Sequence, residues 1–174
     1  MSLCWGAKVS QNFRDQVLRI AQSLSMPQDG ASWLMACMAW ESGRSFSPSV
    51  KNAAGSGAVG LIQFMPSTAR SLGTTTAALA EMTAEQQLSY VLRYFDPYRG
   101  KLQLLSDTYM VILWPAAVGK PDSTILWDKA TRPTTYQQNI GLDGDHNGQI
   151  TKAEAASRVH DLYVEGLRPI NVGV

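Results

Sequence analysis

A nearly apolar run from Ala31 to Trp40 contains no charged residue and is followed at once by Glu41. At helical spacing, Glu41 shares one face with apolar residues three, four and seven positions before it, and the other sides of the run are apolar as well. Such a pattern predicts a helix that is buried on nearly all sides. Gly43 offers a helix stop, which places Glu41 in the last turn. The residues that share its face are Leu34, Cys37 and Met38.

Five further segments carry helix signals, which are apolar stripes at helical spacing or capping residues at the start. The stretch 42–61 is instead rich in glycine and small residues, which argues against a long helix there. Its glycines would allow close approach to a ligand, the tight turns of a small sheet, or an ordinary loop. The predicted helices run from Gln11 to about Leu24, from Pro66 to Gly73, from Thr83 to Pro97, from Ser106 to Trp114, and from Thr151 through Tyr163.

The composition is that of a globular protein. The 174 residues are 45% hydrophobic and 17% charged, which predicts a single domain over residues 1–174. A net charge of +1 does not indicate a protein that binds nucleic acid, and no apolar stretch has transmembrane length. We therefore expect no nucleic-acid partner, no membrane insertion and a monomer. Cys4 and Cys37 are too few for a disulfide framework, so both should be free thiols.

The position of Glu41 predicts an acid of raised pKa. Apolar surroundings penalise the charged form, and the negative end of the helix dipole repels it. A carboxyl group that holds its proton near neutral pH can act as a general acid. The alternative is a helix-end glutamate that pairs with Arg44, three residues further on.

The segment that follows Glu41 contains no second acid, because no Asp or Glu occurs from Ser42 to Ala80. A glycosidase that uses two carboxylates needs the second about 5–10 Å from the first. If Glu41 acts alone, the substrate must therefore supply its own nucleophile.

Two motifs carry a family resemblance. Glu41-Ser42-Gly43 is followed by Gly-Leu-Ile-Gln-Phe-Met-Pro-Ser-Thr-Ala at residues 60–69. This order resembles the Glu-Ser, Gly-Leu-Met-Gln and Met-Pro-x-Thr-Ala signature of soluble lytic transglycosylases, which cleave bacterial peptidoglycan. The likeness is close from Trp33 to about Gly73 and looser out to Tyr136. It implies a lysozyme-like, mainly helical α+β fold with a small Gly-rich β-like segment beside the catalytic helix, and no cofactor for catalysis.

The resemblance also implies substrate-binding residues around Glu41. Ser42, Gln63 and Phe64 belong to the matched motifs, and the Gln of the family lies in the cleft beside the acid. Asn52 lies near the place where many relatives carry a Ser that assists the catalytic centre. These four residues are therefore expected to line the cleft.

Two aromatic residues further along the chain are candidates for the same cleft. Trp114 stands where relatives carry the Tyr of Tyr-Asn-Ala-Gly, and Pro115 replaces the Asn. Tyr136 either matches a later cleft Tyr of the family or is a buried structural residue.

Residues 143–154 fit the twelve-residue EF-hand loop. Oxygen ligands fall at positions one, three and five, glycine at six, a backbone carbonyl at seven and Glu at twelve, which predicts one structural Ca²⁺ site. Two simpler readings are a capping box of Thr151 with Glu154 and a plain polar turn. The predicted ligands are Asp143, Asp145, Asn147, Gln149 and Glu154.

The sequence as a whole predicts a peptidoglycan lytic transglycosylase that uses Glu41 to form 1,6-anhydromuramyl products. A hydrolytic lysozyme or endolysin is the alternative, and a non-catalytic wall-binding or virion structural module is an alternative of another class. The expected partner is a glycan strand of the bacterial cell wall. Residues 1–10 lack the apolar region of a signal peptide, so we expect either a mature periplasmic form or a bacteriophage enzyme of lysis or of the virion.

Overall fold

The computed structural model describes residues 2–173, and most of them lie in helices. Eight α-helices and two short strands are present in this part of the chain, with single 3₁₀ turns between some of them. The helices are α1 (Gln11–Ser23), α2 (Gly30–Glu41), α3 (Pro66–Ser71), α4 (Thr76–Glu81), α5 (Ala84–Phe95), α6 (Leu105–Leu113), α7 (Pro133–Gln138) and α8 (Lys152–Gly166). The strands are β1 (Ile125–Asp128) and β2 (Gln149–Thr151).

Helix α2 lies at the centre of the fold, where it packs against α1, α6 and most extensively α8. Nine of its twelve residues are buried, and apolar side chains occupy all of its sides. The prediction of a helix buried nearly all round is therefore confirmed. Because α2 contributes so much of the core, its end at Glu41 is fixed in place by three packed helices.

The predicted helix starts are mostly confirmed. The Ser10 hydroxyl accepts a hydrogen bond from the Phe13 amide at 3.0 Å, and the capping boxes that begin at Thr83 and Thr151 both form. The predicted cap at Ser106 is wrong, because α6 begins at Leu105. Ser106 lies inside the first turn, and its hydroxyl donates instead to Asp122 at 2.6 Å.

The Gly-rich stretch after α2 forms turns and isolated β-bridges, which pair Lys51 with Val59 and Val59 with Phe64. The expected β-like segment is therefore present, although it contains no regular strand. Gly60 has a φ of +85°, and a Cβ there would lie 2.3 Å from the Gln87 side chain. Only glycine fits this close approach without displacing Gln87.

The Gln87 side chain, on α5, forms hydrogen bonds with the Gly-rich stretch 42–61. The side chain is fully buried, and its Oε1 accepts a hydrogen bond from the Leu61 amide at 2.7 Å. Its Nε2 donates to the carbonyls of Pro48 and Leu79 at 3.0 and 2.9 Å. One buried amide therefore satisfies three backbone groups, which holds an otherwise irregular segment against α5.

The regular strand pair lies elsewhere, between β1 and β2, which run antiparallel. β2 leads directly into α8, where Lys152 is completely buried. The Lys152 ammonium donates to Asp107 on α6 and to the carbonyl of Lys120. This buried ion pair joins α6 to α8. The sequence did not indicate it, because Lys152 reads as an ordinary first-turn residue.

Cys4 and Cys37 are both buried free thiols, as expected. Among the described residues, none of the helices combines the length and the hydrophobicity that crossing a bilayer would require.

Candidate active site

Glu41 is the last residue of α2 and is partly buried. Burial raises the pKa of its carboxyl group to about 7. Within residues 2–173, no Lys, Arg or His nitrogen lies within 4.0 Å of that carboxylate, and no other acidic group contributes to its pKa. The predicted rise in pKa is thus present, and its cause is loss of hydration.

The alternative pairing with Arg44 does not form. Gly43 and Arg44 both have positive φ values, so the chain turns sharply away from the helix axis. The Arg44 guanidinium lies 2.9 Å from a carboxylate oxygen of Glu165 on α8. That ion pair leaves Glu41 without a cation to stabilise its charged form.

The groups around Glu41 are a thiol and two phenols. Burial and, after it, the charge of Glu41 raise the pKa of the Cys37 thiol, one helical turn before the acid. Burial raises the pKa of Tyr94 to about 12, with smaller contributions from Tyr98 and Glu41. Burial is the main cause of the raised pKa of Tyr109, and the negative charge of Glu41 raises it further. All of these neighbours are uncharged at neutral pH, so none can replace a second carboxylate.

Tyr94 and Tyr109 lie on different helices, α5 and α6. Tyr94 on α5 donates its hydroxyl hydrogen to the Val111 carbonyl at 3.0 Å, which ties α5 to α6. Tyr109 on α6 is 6% exposed. Tyr109 was not predicted as a site residue, because only the crossing of α6 over α2 brings it near Glu41.

Gln63, predicted to lie in the cleft, adopts a φ of +53°. Its side-chain nitrogen donates to the carbonyls of Val50 and Gly60 at 3.2 and 3.1 Å. The amide oxygen has no hydrogen bond within the described part of the chain, so it is available to a ligand. A sugar contact at Gln63 stays a prediction.

The other three residues of that set have structural roles in the fold. Ser42 is buried, and its hydroxyl accepts a hydrogen bond from the Phe46 amide at 2.9 Å. Phe64 is 2% exposed and packs edge-to-face on Tyr94, so its side chain offers no surface to a sugar. Asn52 is exposed, and its side-chain oxygen accepts from the Ala54 amide at 2.6 Å, which closes a local turn.

The two aromatic candidates lie on the side of the fold that faces the 143–154 loop. Trp114 packs edge-to-face on Trp127, and the Arg132 guanidinium lies 5.4 Å from the centre of the Trp114 ring. Tyr136 is buried and donates its hydroxyl hydrogen to Asp143 at 2.5 Å. Of the two readings of Tyr136, the structure therefore supports the buried structural one.

Three acidic side chains of the loop 143–154 lie close together. Carboxylate oxygens of Asp143, Asp145 and Glu154 all lie within 4.8 Å of one another. Gly148, at the sixth position, has a φ of +86°, and Ile150, at the eighth, is completely buried. A glycine that makes a sharp turn is what an EF-hand loop requires at the sixth position.

The donor set fits a hard divalent cation, because Asp143, Asp145 and Glu154 all offer carboxylate oxygens. No Lys or Arg of the described residues forms a salt bridge with any of its three carboxylates. The hydrogen bond from Tyr136 also lowers the pKa of Asp143, which keeps that group ionised. The Thr151–Glu154 capping box is present as well, so both predicted uses of Glu154 are compatible with the fold.

The helical core, with its small β-like segment beside α2, is that of a mainly helical α+β protein of the lysozyme-like class. Residues 19–89 match the family model of the transglycosylase SLT domain. This part of the chain therefore resembles the transglycosylase SLT domain, and the match supports, in general terms, a peptidoglycan-cleaving activity of the lytic transglycosylase type. The matched segment runs from α1 to α5 and includes Glu41 and Gln63. Comparison with the curated proteins and with the solved structures gives no significant match.

The raised pKa of Glu41 predicts a stability change that depends on pH. The unfolded chain holds this proton with a pKa of 4.5 and the folded chain with a pKa of about 7, so charging Glu41 destabilises the fold as pH rises between them. Glu41→Gln removes that cost. The variant should be more stable than the parent by up to about 3 kcal/mol at pH 8 and nearly equal to it at pH 4, measured by urea unfolding.

Glu165→Gln is the matched control for this experiment. The hydrogen bond from Arg44 lowers the pKa of Glu165, so its removal should not stabilise the protein at pH 8. If Glu41→Gln gives the same stability difference at both pH values, Glu41 titrates as an ordinary solvated acid.

Proposed function

We propose that this protein is a lytic transglycosylase that uses Glu41 as its single catalytic acid and base. The bond cleaved is the β-1,4 linkage between N-acetylmuramic acid and N-acetylglucosamine. The observation that carries the proposal is the partly buried Glu41, whose pKa burial raises to about 7 with no contribution from another acidic group of the described residues. A second acid would be needed to supply a protein nucleophile or to activate water from the opposite face.

Protonated Glu41 donates its proton to the glycosidic oxygen, which leaves as the O4 hydroxyl of N-acetylglucosamine. Positive charge then develops at C1 of the muramyl residue, and the carbonyl oxygen of its own acetamido group stabilises that charge. Glu41, now a carboxylate, takes the proton from the O6 hydroxyl as O6 bonds to C1. The product is a 1,6-anhydro ring, no water is consumed, and Glu41 regains its proton.

The surroundings of Glu41 suit both halves of this cycle. A pKa near the working pH keeps a large fraction of the acid protonated, and the same value makes the carboxylate basic enough to accept a proton. The neutral phenols of Tyr94 and Tyr109 provide polar groups without a competing charge. The free amide oxygen of Gln63 is proposed to accept a hydrogen bond from the sugar.

Glu41→Gln tests this assignment directly. Removal of the acid should lower the rate of release of soluble fragments from purified cell walls by about 10²–10⁴-fold, since this is the usual contribution of a general acid–base group. The control Asp161→Asn, at an exposed position of α8, should keep full activity. Undiminished activity in Glu41→Gln would refute the role of this residue.

Mass spectrometry of the fragments released by the unsubstituted protein separates the two possible outcomes of cleavage. Anhydro products are lighter than hydrolysis products by one water, and we expect the lighter set. Hydrolysed ends alone would mean that water is the nucleophile and that the protein is a lysozyme.

We also propose that the 143–154 loop binds one Ca²⁺ ion. Asp143, Asp145, Asn147 and Glu154 would hold it through side chains, and the Gln149 carbonyl would add a backbone ligand. The ion would supply no step of the cleavage; it would neutralise the clustered carboxylates and fix the start of α8. Because α8 packs along α2, a firmer α8 also stabilises the helix that carries Glu41.

Thermal unfolding with Ca²⁺ and with EGTA tests the calcium site. At a free Ca²⁺ concentration of 100 times Kd, binding to the folded state should add about 2.7 kcal/mol of stability and raise the melting temperature. Asp145→Asn should reduce the rise in melting temperature that Ca²⁺ causes. Asp161→Asn, on α8 but outside the loop, should leave that rise unchanged. Equal melting temperatures with calcium and with chelator would eliminate the site.

The proposed partner is the peptidoglycan glycan strand, and the proposed place of action is the bacterial cell wall. A periplasmic enzyme and a phage enzyme of lysis or entry are both compatible with this chemistry. We propose a monomer, since one chain provides Glu41, its neighbours and the cation loop.

A further inference from the structure

We propose that Trp40 and Arg158 form a subsite that binds a carboxylate group of the glycan strand next to Glu41; this inference rests on the proposed function. Trp40 directly precedes Glu41 on α2 and is 36% exposed, although the rest of its helix is largely buried. The Arg158 guanidinium, from α8, lies 5.8 Å from the centre of the Trp40 ring. A cation stacked on an aromatic ring is thus present at the end of the catalytic helix.

Tyr109 links this pair to the acid. Burial is the main cause of its raised pKa, but the charge of Glu41 adds to that rise and the charge of Arg158 opposes it. Both charges therefore act on a single buried hydroxyl group. Trp40 directly precedes Glu41, so we propose that a strand bound at Glu41 extends past the Trp40–Arg158 pair.

The Arg158 guanidinium is held in place and is also available. Its Nη2 donates to the Gly141 carbonyl at 3.1 Å, and its guanidinium carbon lies over the Trp40 ring, 5.8 Å from the ring centre. Within residues 2–173, no carboxylate lies within 4.0 Å of Arg158, and its other nitrogens have no hydrogen bond. Arg44 differs, because Glu165 already neutralises it.

The chemistry of the pair selects an anionic saccharide. A guanidinium offers parallel N–H donors that match the two oxygens of a carboxylate, and the neighbouring indole presents an apolar surface suited to a sugar ring. The strand offers carboxylates from two sources. These are the lactyl group of muramic acid where no peptide is attached, and the peptide itself where one is. N-acetylglucosamine carries neither, so this subsite would favour a muramyl residue over a neutral sugar.

Binding to the inactive Glu41→Gln protein tests the inference without cleavage. Three ligands of equal length are compared: peptide-free glycan strands, peptide-bearing strands and neutral N-acetylglucosamine oligomers. Adding Arg158→Gln should weaken binding of at least one anionic ligand by about five-fold, the range of a partly exposed charge-assisted contact, and should leave the neutral ligand within two-fold. Arg158→Lys should retain part of the affinity, because it keeps the charge and loses the planar fork.

Arg93→Gln is the matched control, since the Arg93 guanidinium lies 5.2 Å from the centre of the Tyr90 ring in a similar exposed pair. It should change the binding of none of the three ligands. A loss confined to peptide-free strands assigns the lactyl carboxylate, and a loss confined to peptide-bearing strands assigns the peptide. A loss of affinity for both kinds of strand indicates that the subsite binds either carboxylate.

Equal losses on all three ligands, or no loss on any, would overturn the inference and make Arg158 a structural tie to Gly141. The proposed function fails by a separate result, which is the absence of cleavage by the unsubstituted protein. Thermal unfolding of each variant shows that it is folded. If Arg158→Gln fails that test, Arg158→Lys decides the question through the same comparison of anionic with neutral ligands.

Discussion

Burial of the Glu41 carboxyl group at the end of α2 makes its charged form costly, and the proposed chemistry depends on that cost. The cost exists because α1, α6 and α8 enclose α2, while Tyr94 approaches from α5. A carboxyl group in water would be ionised at neutral pH and could not donate a proton. The same burial that stabilises the core through α2 therefore destabilises the one charge that the helix carries, and the sharp turn after Gly43 directs Arg44 to Glu165 instead.

α8 connects the two proposed sites. It begins in the loop whose Glu154 closes the acidic cluster, and one turn later Arg158 stacks on Trp40 beside Glu41. The Gly141 carbonyl that accepts from Arg158 lies just before Asp143, the first residue of the loop. The cation loop and the end of α2 thus share one helix and one hydrogen-bonded segment. A change in the loop can therefore reach the end of α2 through α8 and through the Arg158–Gly141 hydrogen bond.

Local signals in the sequence predicted a large part of this structure. The apolar run before Glu41 indicated both α2 and the raised pKa, because the same residues that form the core also remove water from the acid. The capping boxes at Thr83 and Thr151 depend on contacts three residues apart, so their spacing was sufficient. Contacts between distant segments could not be predicted in this way. Tyr109 lies near Glu41 because α6 crosses α2. The Tyr136 hydroxyl donates to Asp143. Phe64 is buried in the core, although its motif predicted a place in the cleft.

The protonation of Glu41 can be measured directly by NMR, through the ¹³C shift of its carboxyl carbon as the pH is changed. We expect the carboxyl group to titrate near pH 7, well above the value of 4.5 for an unperturbed glutamate. The signal should be assigned by its loss in Glu41→Gln. A midpoint near pH 4.5 would show a hydrated, fully ionised carboxylate at neutral pH and would contradict the proposal that Glu41 is the proton donor.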